Sequence, residues 1–354
     1  MGCCEATNPD LIGVVSDVEE LKWDRRAALK GLLGVAGVVA VSTGGPKAHA
    51  AATRVRLAFC GQLLCVIPYE VARARGHFAD QGFDIQLVYT RGGNAAMQAL
   101  VGGAVEYAGT SFDVALEAAA NGAAIRRFAS TGRLPLFALA VSPKRSDIKT
   151  VKELQGTTVG ISGLGNADHA LLLYLLKQAG VDTGKVRYAA IGTNLFEALR
   201  LGQVDAGMVQ EPALSLVVRA GGRELVNLME LDQARKYLGG PYEFMGVSVR
   251  AKERDQRAAE MRKVAAALSK GLADTRTLSP EEIIAALPKA LVAGGDVAEL
   301  KAIIARYRLS LYPENVIIDP AACARVEKAQ ETAGILQPGK VDLKTLLDTA
   351  VLAG

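Results

Sequence analysis

The sequence predicts an α/β protein of two similar lobes, each a sheet flanked by helices, with a helical C-terminal segment. Three observations carry this. Short apolar runs alternate with helical patterns from residue 54 to about residue 209, the signature of an α/β sheet. A phrase recurs at the same place in two successive strand–helix series. From about residue 251 the chain reads as almost wholly helical. The chain has 354 residues, half of them apolar and 22% charged, which is ample core for a folded chain. Single cores stop growing near roughly 250–300 residues, so this length favours two domains.

In order, residues 54–59 read as a strand and 68–79 as a helix ended by Gly76 or Gly82. A strand at 84–89 and a helix at 94–101, closed by Gly102-Gly103, come next. A third strand at 105–108 leads to a helix at 113–120 stopped by Gly122, and 136–141 is apolar enough for a central strand. Thr150-Val151-Lys152-Glu153 is a capping box that opens a new unit, because the Thr hydroxyl and Glu carboxylate can each satisfy a free backbone N–H. A strand at 158–161, a Gly-rich turn, a helix at 167–179, a strand at 186–190, a helix at 195–201 and a strand at 206–209 repeat the order. Ser279-Pro280-Glu281-Glu282 marks a later helix start, with Pro at the first helical position.

The recurring phrase runs from Ala99 to Gly109 (ALVGGAVEYAG) and from Ala198 to Met208 (ALRLGQVDAGM). Each has a helix end, a glycine, an acidic residue and then small residues. Two copies make two lobes and not a solenoid. The expected division is 53–142 plus 245–354 for the first lobe and 143–244 for the second.

Residues 1–50 read as an address. Asp24-Arg25-Arg26-Ala27-Ala28-Leu29-Lys30 precedes a weakly apolar run at 31–41 and then Ala48-His49-Ala50. Positive residues, an apolar stretch and a small-x-small site are the three parts of a secretory signal. The run is too short to span a bilayer, which takes about 20 residues. The paired arginines resemble a twin-arginine signal, with Asp24 and Ala28 as departures from its usual pattern. An amphipathic helix that happens to carry Arg-Arg is the other reading. Ala6 stands where myristoylation expects Ser or Thr, and Cys3 and Cys4 precede the apolar run, so no lipid anchor is expected. A wrongly chosen start codon would account for residues 1–23 equally well.

Five of the 41 basic and six of the 37 acidic residues fall in 1–50, leaving 36 and 31, a net charge of +5. That balance, without clusters, gives no footprint for nucleic acid. Cys60, Cys65 and Cys323 remain. An oxidising compartment would permit Cys60–Cys65, but the odd count shows a fold independent of a disulfide framework. Buried thiols are the preferred reading.

Catalysis has little to stand on. Gly160-Ile161-Ser162-Gly163-Leu164-Gly165 lacks the final glycine of a nucleophile elbow, because residue 164 is Leu. As a dinucleotide fingerprint from Gly163 it would need Gly or Ala at 168, where Asp stands. What is left is a tight turn delivering backbone N–H groups to a helix start. No Ser–acid partner set is legible around His169, and no zinc spacing or calcium loop occurs. No cofactor and no metal are expected.

A polar loop recurs after each strand. The candidate ligand-binding residues are Cys60, Gln62, Arg91, Asn94, Thr110, Ser111, Asp113, Ser162, Asn166, Thr193, Asn194, Gln210 and Glu211. In open α/β sheets, ligands bind outside the carboxyl ends of the strands, so these loops converge on one crevice between the lobes. Capping alone also favours Thr, Ser and Asn there. Arg91, before a helix start, is the best anion candidate. Asp113, Glu211 and Asp168 nearby discourage a small free anion and suit a ligand with amino or ring N–H donors.

Residues 74–84 (ARGHFADQGFD), 99–112, Val151-Lys152-Glu153-Leu154-Gln155-Gly156 before the 160–166 turn, and Gly202-Gln203-Val204-Asp205-Ala206 before Glu211-Pro212 together resemble one family. It is the bacterial periplasmic solute-binding proteins of the aliphatic-sulfonate, taurine and nitrate class, related to thiamine-pyrimidine-precursor binders. The resemblance spans about residues 53–345. It implies a two-lobed periplasmic binding protein fold (type II), a small-molecule ligand held between lobes, delivery to an ABC permease in the inner membrane, and a monomer. It also implies two crossing segments, near 142–147 and 240–244. Two other readings stay open: a binding protein that feeds a membrane sensor, and an enzyme resembling thiamine-pyrimidine synthases. That enzyme's cysteine-rich CCCFC motif is absent from residues 51–354.

Overall fold

The computed structural model describes residues 52–192, 194–292 and 295–353. The leader read at 1–50 and the candidate residue Thr193 lie outside the described residues. The first series is β1 (Thr53–Cys60), α1 (Leu63–Ala74), α2 (His77–Asp80), β2 (Phe83–Thr90), α3 (Gly93–Val101), β3 (Tyr107–Ser111), α4 (Phe112–Ala120) and β4 (Ile125–Ser130). The second is β5 (Ala138–Val141), β6 (Thr158–Ile161), α5 (Ala167–Gln178), β7 (Arg187–Ala190), α6 (Leu195–Leu201), β8 (Ala206–Val209), α7 (Ala213–Arg219), β9 (Arg223–Asn227) and α8 (Leu231–Leu238). Then come β10 (Met245–Arg250), α9 (Ala258–Thr277), α10 (Pro280–Ala286), α11 (Lys289–Val292), α12 (Val297–Leu311), α13 (Pro320–Ala333) and α14 (Leu343–Leu346).

The strands form two five-stranded sheets, ordered β2-β1-β3-β10-β4 and β7-β6-β8-β5-β9. Position by position the two orders are the same. In each, three parallel strands adjoin one antiparallel strand, β10 or β5, and each of those carries a register shift. The repeated phrase has a matching physical role. Glu106 accepts the Arg56 backbone N–H at 2.8 Å, while Glu106 N donates to Arg56 O at 3.2 Å. In the second sheet Asp205 accepts the Thr158 N–H at 2.8 Å and returns its own N–H to Thr158 O at 2.9 Å. One acidic side chain braces the equivalent position of β1 and of β6.

The structure moves one boundary. Residues 138–141 were assigned to the first lobe, but β5 lies in the second sheet between β8 and β9. The outward crossing is therefore residues 131–137, upstream of the expected 142–147; the return link to β10 is residues 239–244. The C-terminal segment was assigned wholly to the first lobe, yet it reaches both. Tyr307 of α12 accepts from Asn227 of β9 at 2.9 Å, and Gln330 of α13 donates toward Asp113 of α4 at 3.4 Å.

The first helix also differs from expectation. It begins at Leu63, with Pro68 inside it instead of at its start. Proline removes the N–H that would bond Leu64 O four residues back; here Tyr312 Oη donates to Leu64 O at 2.8 Å and fills that place. Helix α9 then packs closely on α1: a Cβ at Gly271 would meet Ala72 Cβ at 2.6 Å and Pro68 O at 2.7 Å. Such overpacking costs about 1–3 kcal/mol. Strands β4, β9 and β10 carry charged residues that hid them in the sequence. The clearest is Arg127 of β4, which is wholly buried. The capping box at Thr150 forms, and the helix start at Ser279 proves to be a second one.

Candidate functional site

The parallel strands β1, β2 and β3 of one sheet and β6, β7 and β8 of the other each lead into a helix or a short loop at their carboxyl ends. At that edge the structure joins the lobes directly. Asn94, in the first turn of α3, donates from Nδ2 to Oδ1 of Asn166, the N-cap of α5, at 2.9 Å. Asn166 Nδ2 donates to Ser162 Oγ at 2.9 Å. Ser162 in turn gives its hydroxyl to Asp168 Oδ1 at 2.7 Å and its N–H to Oδ2 at 2.6 Å. Asp168 is wholly buried. Burial pushes its carboxyl up, while the Ser162 donors pull it down. The sequence places this carboxylate near the crevice but outside the candidate ligand set. Its position beside a glycine-rich turn was the available signal, since a buried acceptor is what such a turn needs for its free N–H groups.

The other expected residues divide by burial. Gln62 follows β1, and its Oε1 is buried without a hydrogen-bond partner; the Thr110 hydroxyl at the end of β3 is the same. Ser111 caps α4 by accepting the Val114 N–H at 3.3 Å, the ordinary capping role. Arg91 and Asn194 are exposed, and Gln210 is half-buried. Cys60 ends β1 as a free, buried thiol, as are Cys65 and Cys323. The neighbouring Cys65 thiol lowers Cys60, while Cys60 and burial raise Cys65 well above the usual thiol range.

Asp113 and Glu211 each engage protein donors through one carboxyl oxygen and keep the other buried without a partner. Asp113 is wholly buried and accepts from Tyr242 Oη at 2.8 Å and from Gln330 Nε2 at 3.4 Å. Burial pushes its carboxyl up to about 6, against the pull of those donors. One turn on, burial and the nearby Asp113 push Glu117 up to about 7. Glu211 accepts the Ser215 N–H at 3.1 Å and is raised by burial. Asp113 thus ties α4 to the return link and to α13, a role that sequence spacing could not disclose.

Behind Thr110 lies a buried ion pair that the sequence did not announce. Arg127 donates to Thr110 O at 2.8 Å, to Phe244 O at 2.8 Å and to Glu243 Oε1 at 3.2 Å. Ser130 Oγ donates to the other Glu243 oxygen at 2.9 Å. Burial pushes Glu243 up to about 7 despite Arg127. The guanidinium therefore connects the end of β3 to the segment returning from the second lobe.

His169 does not act as a base toward Ser162. Its Nδ1 accepts the Gly165 N–H at 3.2 Å, burial lowers its basicity, and its ring stands edge-on to Tyr188. Among the described residues no three His, Cys, Asp or Glu side chains group as a metal site, and no helix is long and apolar enough to cross a membrane. A cavity of about 820 Å³ lies elsewhere, between α7, β9 and α12, lined by Arg219, Arg223, Glu224, Glu299 and Arg306 among others. None of the expected site residues lines it. The strand-end edge is instead spanned by the Asn94–Asn166 bond.

Comparison with known proteins extends this picture. The solved structure of a protein from Bordetella bronchiseptica RB50 is 24% identical, covering 86% of this chain and 96% of that one, with a TM-score of 0.75. The periplasmic aliphatic sulphonate binding protein SsuA of Escherichia coli is 22% identical, covering 82% and 91%, with a TM-score of 0.63. The periplasmic nitrate-binding protein NrtA of Synechocystis PCC 6803 is 12% identical, covering 85% and 88%, with a TM-score of 0.69. At these identities the likeness establishes the fold, which is that of the periplasmic binding proteins. No curated protein matches the sequence. A family model described as NMT1/THI5 like matches residues 65–283, more than half of the sequence. Two equivalent sheets joined by two crossings and that match lead to one conclusion: the chain belongs to the NMT1/THI5-like family.

Proposed function

We propose that this chain is an exported solute-binding protein. It captures a small organic or anionic nutrient, of sulfonate, nitrate-like or pyrimidine type, between its two lobes and delivers it as a monomer to an ABC permease in the inner membrane. The observation that carries this reading is the Asn94–Asn166 bond, which joins the two lobes where their parallel strands end. A ligand touching both lobes there favours the closed form by its differential contacts, and a permease can select that form. The SsuA and NrtA likenesses support the reading, as does the family match. The site residues of this proposal are Gln62, Asn94, Thr110, Ser162 and Asn166, with Arg91 and Asn194 at the rim. The periplasm is the compartment it requires, reached through the twin-arginine-like leader.

Native mass spectrometry of the exported chain, purified without refolding, tests the proposal. One small molecule per chain is the expected result, and its mass names the ligand class. A chain that is empty and shows no thermal shift with sulfonates, nitrate or pyrimidines would overturn delivery of such nutrients.

A further inference from the structure

The hydrogen-bond chain at the site has a direction, and one buried charge sets it. Asp168 has no exposed surface and takes both the N–H and the O–H of Ser162, at 2.6 and 2.7 Å. A carboxylate can only accept. Having given its single proton to Asp168, Ser162 Oγ has only lone pairs left for Asn166. The Asn166 group at 2.9 Å from Ser162 Oγ must therefore be the NH2. The planar amide then turns its carbonyl oxygen toward the first lobe, where the Asn94 NH2 meets it at 2.9 Å. Asn166 cannot flip without placing its oxygen against the Ser162 lone pairs. On the first lobe, Gln62 Oε1 is a further buried acceptor without a partner.

Resting on the solute-binding reading above, we propose that the site selects ligands carrying an N–H or O–H donor toward Asn166. Asp168 imposes this preference as a positioning residue, two hydrogen bonds away from Asn166 and three from the ligand. A ligand that displaces the Asn94 amide meets a carbonyl oxygen held in place. An anion with acceptors alone sets a lone pair against that oxygen and leaves it unpaired, and such mismatches reject a ligand more strongly than a lost contact does. The class is therefore a small solute with an amine, amide, ring N–H or hydroxyl edge. Specificity here is a difference between two affinities, so it is read from matched pairs.

Two such pairs are nitrate with hydrogencarbonate and ethanesulfonate with 2-aminoethanesulfonate. Calorimetric titration of the exported chain is expected to show the donor-bearing member of a binding pair tighter by about tenfold. Asp168→Asn lets residue 168 donate to Ser162, which frees the Ser162 proton and the Asn166 amide to reverse. The ratio then falls below about threefold. Ser162→Ala releases the same amide while leaving the backbone N–H on Asp168, and it gives the same compression should the first variant fold poorly. An acceptor-only member that binds as tightly as its partner overturns the donor rule. A ratio unchanged in both variants overturns the role of Asp168. Should none of the four bind, the molecule that co-purifies with the chain decides: one with an N–H or O–H supports the rule, and one with neither overturns it. An empty chain overturns the solute-binding reading itself.

Discussion

The two lobes share a scaffold and differ in what they bury. Their sheets have the same strand order, and Glu106 and Asp205 brace equivalent positions of β1 and β6. In the first lobe the buried charges reach outward. Arg127 and Glu243 fasten β3 to the return link, and Asp113 fastens α4 to Tyr242 and Gln330. In the second lobe Asp168 takes both its donors from its own turn and acts beyond it only through Ser162 and Asn166. The difference teaches where function enters a duplicated fold. Shared elements decide where the loops lie, and unshared buried charges decide which lobe holds the crossing and which presents a fixed polar edge.

The largest effect expected is from Arg127→Met, which keeps much of the volume but leaves Glu243 without its cation. Removing one partner of a buried pair costs about 3–5 kcal/mol. Urea unfolding should show a loss of that order, and Glu243→Gln in the same chain should restore part of it. A loss below about 1 kcal/mol would mean that the first lobe is not held through this pair.

The second prediction uses pH to separate the lobes. Asp113 and Glu243 hold their protons in the folded chain up to about 6 and 7, above the ordinary carboxylate range of the unfolded chain. Between those values the folded state binds more protons, so stability falls as pH rises from about 4 through 7. Lowering the pH from 8 to about 5.5 should stabilise the chain by ~2 kcal/mol. Glu243→Gln should remove most of the slope and Asp113→Asn a smaller part of it, and hydrogen exchange should place the gain on α4 and β4. Equal gains in both lobes would erase the contrast drawn here.

The smallest effect tests the likeness of the lobes. Glu106→Gln and Asp205→Asn each weaken a charge-assisted bond to a strand N–H and should each cost about 1 kcal/mol. Thermal melts of the two variants should agree within the scatter of such values. A twofold or larger disparity would show that the shared phrase does different work in the two lobes.

Much of this protein was legible in its sequence. Alternation of apolar runs with helical periods gave the α/β class, and capping boxes gave two element starts, because these depend on residues close in the chain. The repeated phrase gave two lobes, and strand-end chemistry brought Asn94, Ser162 and Asn166 into view together. Tertiary structure decided the rest. It moved the first crossing upstream, because only pairing with β8 and β9 assigns residues 138–141 to a sheet. It put Pro68 inside a helix, because Tyr312, far along the chain, supplies the missing donor. Asp113 was tied to Tyr242 and Gln330, and Arg127 entered the core because Glu243 and two carbonyls meet it there. Local pattern fixes which groups a segment carries; which of them are buried depends on partners brought from more than a hundred residues away, and a buried polar group is stable only where they arrive.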